Sequence, residues 1–120
     1  RISRAFLLYA LLLLVVSCRS WNLSLFERQA EAPPITADLN AIAMRSGHTE
    51  QTLKLGREVF STRCTECHEL RTIPDYSEEE WLYDYLPLMA RRARLQPAEH
   101  GALKVYIRTV LRLKQQQMHP

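Results

Sequence analysis

Apolar positions in the second half of the chain recur at helical spacing. Between Glu50 and Thr62, Leu53, Val59 and Phe60 share one face with Gly56, the pattern of a helix with one side turned inward. A second stripe, Leu103, Tyr106, Ile107, Val110 and Leu111, follows Pro97 and Glu99; proline at a first helical position and an acid in the first turn mark its start. Between them, Ser77 reads as an N-cap with Glu79 and Glu80 behind it, opening a helix through Trp81, Leu82 and Tyr85. Pro87 interrupts that helix or starts a new turn carrying Leu88 and Met89. A shorter stripe, Leu39, Ile42 and Ala43, is compatible with a helix from Thr36 to Arg45 that packs on the domain. Nothing alternates over a strand's length, so the predicted fold class is all-α.

The first half reads differently. Arg1 and Arg4 precede an apolar run from Ala5 to Val16, too short to span a bilayer comfortably and typical of a secretory signal. It closes on Val15-Val16-Ser17-Cys18, which resembles a bacterial lipobox, with valine at Val15 where leucine is commoner. Cleavage there makes residues 1–17 a lipoprotein-type signal peptide and Cys18 the lipid anchor. The alternatives are an ordinary signal peptide with a chance cysteine, or an uncleaved anchor. Residues 18–46, with Pro33-Pro34 and little periodicity, read as a tether. A coil of about 28 residues spans roughly 30 Å, enough to hold a domain clear of a membrane. Residues 47–115 form the expected domain, and residues 116–120 a tail.

With 120 residues, 47% of them apolar, and no repeat, the chain holds one domain at most. The formal charge of +3 includes Arg1 and Arg4. Without residues 1–17, fourteen Lys and Arg face thirteen Asp and Glu, which gives no basis for nucleic-acid binding. The remaining 103 of 120 residues are few for a self-sufficient core.

Cys64-Thr65-Glu66-Cys67-His68 carries the chemistry. C-x-x-C-H is the attachment signature of a c-type haem: two thiols on one side of a turn add to two vinyl groups, and the next histidine reaches the iron. The competing readings are weaker. A zinc site lacks a second pair at finger-like spacing, since only Cys18, His48, His100 and His119 remain as N or S ligands. A thioredoxin-type pair needs a βαβ frame, which the pattern lacks. Haem would also supply the apolar bulk that the short chain is missing, and its two propionates would bring the mature charge to about −1.

These residues together resemble class I cytochrome c. In that family a glycine stands eight positions, and an aromatic four positions, before the first haem cysteine; Gly56 and Phe60 occupy those places. The family's C-terminal L-x-x-Y is matched by Leu103 and Tyr106. The resemblance covers roughly Leu53 to Leu113. It is closest to compact bacterial forms with E-E-W, M-A and L-x-x-x-E, here Glu79-Glu80-Trp81, Met89-Ala90 and Leu95 with Glu99. The family's G-P-x-L loop is absent.

The resemblance implies a cytochrome c fold wrapped around one covalent haem, with Gly56, Phe60, Leu103 and Tyr106 at the crossing of the first and last helices. It implies Cys64 and Cys67 as covalent haem attachments, and His68 and Met89 as axial ligands to the iron. Pro74 would offer its carbonyl to the His68 ring. Trp81 or Tyr76 is a candidate propionate partner, with core packing the competing role for Trp81.

Met44, Met118, His48 and His100 are the rivals to Met89, and an open sixth position is a further alternative. Arg91, Arg92 and Arg94, with Lys104 and Arg108, form either a solvated face or a rim that neutralises propionates and docks a partner. The expected protein is not an enzyme. It is a one-electron carrier on the periplasmic side of a bacterial membrane, with redox-protein donor and acceptor, no small-molecule substrate and no nucleic acid. A redox subunit of a larger complex, or a haem sensor or enzyme with an open site, are the alternatives.

Overall fold

The computed structural model describes residues 31–120. The expected signal peptide, Cys18 and the tether as far as residue 30 lie outside the described residues. Every regular element in the described part is helical, and no strand occurs there. Helices α1 (Ala37–Arg45), α2 (Glu50–Thr62), α3 (Leu86–Arg92) and α4 (Pro97–Met118) are accompanied by a 3-10 turn at Ile73–Asp75 and a π-helical segment at Glu80–Tyr85.

The local chemistry of each boundary is visible. The Thr36 hydroxyl accepts the Leu39 N–H at 3.2 Å to start α1, and that of Thr49 accepts the Thr52 N–H at 3.2 Å to start α2. Helix α1 stops at Gly47, whose φ of 79° suits glycine; the Gly47 and His48 N–H groups return to the Met44 and Ala43 carbonyls. Ser77 and Glu80 form a reciprocal cap, with the Glu80 carboxylate accepting the Ser77 N–H at 2.7 Å. Those bonds hold the Glu80 carboxyl below its usual pKa. The widened segment that follows has a reason in the sequence. An α-helix continued through Pro87 would push its ring onto the carbonyl four residues back. In the wider turn the Leu86 N–H instead reaches the Trp81 carbonyl.

Helices α2 and α4 pack closely and form the centre of the domain. Gly56 lies at their crossing: a Cβ there would come within 2.2 Å of the Ala102 carbonyl oxygen and 2.6 Å of Tyr106 Cβ. Only a residue without a side chain fits. Leu53, Phe60, Leu103, Tyr106 and Ile107 are all at most 2% exposed around this contact. Gly56, Phe60, Leu103 and Tyr106 therefore meet where the sequence comparison expected.

Two boundaries differ from the sequence reading. The tether does not extend to residue 46, because Leu39, Ile42 and Ala43 of α1 are buried and Ala32 is 6% exposed. Leaving these side chains in water would forfeit about 1.5–3 kcal/mol for each large one. The Arg57 guanidinium ties the preceding segment down by donating to the Pro33 and Ala32 carbonyls at 3.0 and 3.1 Å, and the Tyr106 hydroxyl donates to Pro33 at 2.6 Å. At the other end α4 continues to Met118, through Gln116 and Gln117, which the sequence reading placed in the tail and which are good helix formers. No helix among the described residues is long and apolar enough to cross a membrane.

Candidate functional site

Helix α2 ends at Thr62 and delivers Cys64-Thr65-Glu66-Cys67-His68 as a series of turns. The Cys64 N–H still bonds the Val59 carbonyl at 3.3 Å, and the Thr65 hydroxyl donates to the Ser61 and Thr62 carbonyls at 3.0 and 2.8 Å. The front of the motif is thereby fixed to the end of the helix. Arg63 then joins it to the far wall. Its guanidinium pairs with Glu66 at 3.1 Å and Glu99 at 3.4 Å and donates to the Ala93 carbonyl. The α3–α4 corner reached by Arg63 turns at Arg94, whose φ of 51° is unusual for a side-chain-bearing residue. The Arg94 and Leu95 N–H groups close it on the Arg91 and Ala90 carbonyls.

Between these walls lies a cavity of about 210 Å³, lined by Cys64, Cys67, His68 and Met89. Tyr85, Leu88, Ala93 and Leu95 supply most of its apolar surface, and Arg63, Arg71 and Arg92 its charge. Two thiols, an imidazole and a thioether from segments more than twenty residues apart thus share one space. None of the rivals to Met89 lines it. Met44 and Met118 are 64% and 57% exposed on other helices, and His48 lines a separate hollow with Lys104 and Arg108. The His100 Nε2 is buried without a partner in α4. A larger groove of about 520 Å³ flanks the motif on another side and shares only His68 with the first.

Burial pushes the Cys64 thiol up to about 11, with Arg63 opposing in part. Redox-active and metal-binding cysteines have lowered values and act as thiolates. Cys64 is instead a protonated thiol at neutral pH. Among the described residues no group of three His, Cys, Asp or Glu side chains is arranged to hold a bare metal ion.

His68 Nδ1 lies 2.6 Å from the Glu69 carbonyl, which fixes the proton on that nitrogen and leaves Nε2 as the electron-pair donor. The Pro74 carbonyl, expected in that role, accepts from Lys114 Nζ at 3.3 Å instead. The loop carries Pro74 toward α4, and the motif's own next residue serves the ring. Trp81 is 1% exposed and its Nε1–H donates to the Ile73 carbonyl at 3.0 Å, so the indole is core and has no free donor. The Tyr76 hydroxyl accepts from Arg71 Nη1 at 2.8 Å, which leaves its own O–H to donate.

Of the basic run, Arg92 lines the cavity, while Lys104 and Arg108 line the hollow around His48. Sequence reasoning passed over Arg63 and Arg71, and read Tyr85 only as a position on a helix. The one available signal was Arg71 standing three positions after His68, and such spacing is too common to single out a residue.

The donor set and the charge fit haem c. The cavity presents two thiols, an imidazole, a thioether, the Tyr85 ring and three arginines with no carboxylate in its lining. Its volume is below the usual 300–1,000 Å³ of cofactor sites, and the exposed rim residues Leu88 and Arg92 are the ones free to yield. In comparisons with known proteins, no family model, curated protein or solved structure matches the chain.

Proposed function

We propose that the protein is a mono-haem c-type cytochrome acting as a one-electron carrier, with His68 and Met89 as axial ligands. The observation that carries this reading is the convergence of Cys64, Cys67, His68 and Met89 on one cavity. The crossing at Gly56, in agreement with the resemblance to class I cytochrome c, supports it independently.

When bound, haem supplies a reversible Fe(III)/Fe(II) couple. The chain's residues determine how that couple is used. Cys64 and Cys67 would hold the group through thioethers formed by adding each S–H across a vinyl double bond, so it would not be lost between oxidation states. His68, oriented by the Glu69 carbonyl, would hold the iron through Nε2. Met89 would hold it through sulfur, a ligand that favours the ferrous state more than a second histidine does. Two protein ligands leave no position for a substrate. The Tyr76, Trp81 and Tyr85 rings pack edge to face with centroids 5.0–5.8 Å apart, which fixes the Tyr85 ring where it lines the cavity.

On this reading the short apolar run and Cys18 anchor the carrier to the periplasmic side of a bacterial membrane, and its partners are a redox-protein donor and acceptor. The test is covalency. Pigment from the pure protein stays with the polypeptide in acidified organic solvent if the reading holds. Extraction of the pigment into the solvent refutes it.

A further inference from the structure

Arg71 is the unusual charge at this cavity. Its guanidinium lies 5.5 Å from the Tyr76 ring centre and 4.9 Å from that of Tyr85, and Nη1 donates to the Tyr76 hydroxyl. The Nε is buried and has no hydrogen-bond partner, and among the described residues no carboxylate lies within ion-pair distance of Arg71. Arg63 differs, being paired with Glu66 and Glu99. Arg92 also differs, being exposed to water. A half-buried cation with no counter-ion loses part of its hydration without recompense, and an anion entering the cavity would restore it. With Nη1 held by Tyr76 and Nε shut off from the surface, Nη2 is the donor left for a carboxylate in the cavity that Arg71 lines.

We propose that Arg71, held in its tyrosine box, is the anchor for a carboxylate of the group bound in this cavity. Given the function proposed above, that carboxylate is a haem propionate. Arg71 is then a positioning residue: it fixes the edge of the group and offsets a negative charge that would otherwise favour Fe(III).

The test compares haem-loaded parent, Arg71→Gln, Arg71→Lys and Arg92→Gln proteins. Covalent pigment in the parent is checked first, and its absence refutes the proposed function rather than the role of Arg71. The midpoint potential and the propionate bending mode in resonance Raman are then measured at fixed pH and salt. Arg71→Gln is expected to lower the ferrous-to-ferric ratio about tenfold at a given poise, about 59 mV for one electron, and to shift the propionate mode. Arg71→Lys restores most of the potential, and Arg92→Gln changes it at most about twofold because water screens its charge. Should Arg71→Gln not accumulate, Tyr76→Phe frees Nη1 while keeping the charge, and the propionate mode is expected to shift. Covalently loaded Arg71→Gln with the parent's potential and propionate mode overturns the assignment. An unchanged mode in Tyr76→Phe, or an equal loss of potential in Arg92→Gln, does so as well.

Discussion

Substituting Gly56 by alanine pits two effects of opposite sign against each other. In an open helix the change stabilises by about 1 kcal/mol, because alanine is the better helix former. Here the added Cβ would sit 2.2 Å from the Ala102 carbonyl oxygen, 2.8 Å from its carbon and 2.6 Å from Tyr106 Cβ. The first two atoms are backbone of α4 and cannot rotate away. Relief requires α2 and α4 to separate by about 1 Å, which loosens the packing of Leu53, Phe60, Leu103 and Tyr106. Overpacking costs roughly 1–3 kcal/mol in ordinary cores, where side chains can adjust; against backbone the upper end applies. The expected net destabilisation is about 2 kcal/mol, a drop in Tm of roughly 8–16 °C for a domain of this size. Thermal and urea unfolding followed by circular dichroism on the haem-loaded protein would measure it. A Gly56→Ala protein as stable as the parent, or more so, refutes the close crossing.

Three further outcomes are expected. Cys64→Ala or Cys67→Ala leaves at most one thioether, read as a shift of the pyridine haemochrome band, and the double substitution abolishes covalent pigment. Met89→Ala loses the weak near-infrared sulfur-to-iron band of the oxidised protein and gains carbon monoxide binding when reduced; Met89→His stays six-coordinate at a lower potential. In the haem-free chain the Cys64 thiol, raised to about 11 by burial, favours its protonated form in the folded state. Its stabilising contribution is fully present below the unfolded thiol value and is lost as pH rises through 9 to about 11. After allowance for partial solvent screening this amounts to about 2 kcal/mol, and Cys64→Ala flattens that part of the urea-midpoint profile.

Helices α2 and α4 were legible because their stripes, caps and prolines all point the same way. The cavity's four donors were legible for a different reason: the motif carries its own chemistry in five consecutive residues, and Met89 stands at a spacing the family resemblance supplies. Arg71 was not. Its importance comes from Tyr76 and Tyr85 closing around it and from the carboxylate it lacks, and neither is encoded in local spacing. The fate of α1 was half legible, since Leu39, Ile42 and Ala43 announce an apolar face but not the surface that covers it. The anchoring of Pro33 by Arg57 and Tyr106 spans 24 and 73 positions, beyond any periodicity argument. The π-helical segment follows from Pro87, yet the sequence allowed either an interrupted helix or a new one, and packing of Trp81 and Leu86 into the core selected the continuous path.

The most direct measurement of the central claim is the optical spectrum of the purified ferrous protein at neutral pH, before and after carbon monoxide is added. With His68 and Met89 both on the iron, the spectrum is that of a six-coordinate low-spin c-type haem and remains unchanged on the seconds timescale. Rapid formation of a carbon monoxide adduct would show an open or weakly held sixth position and contradict the carrier assignment.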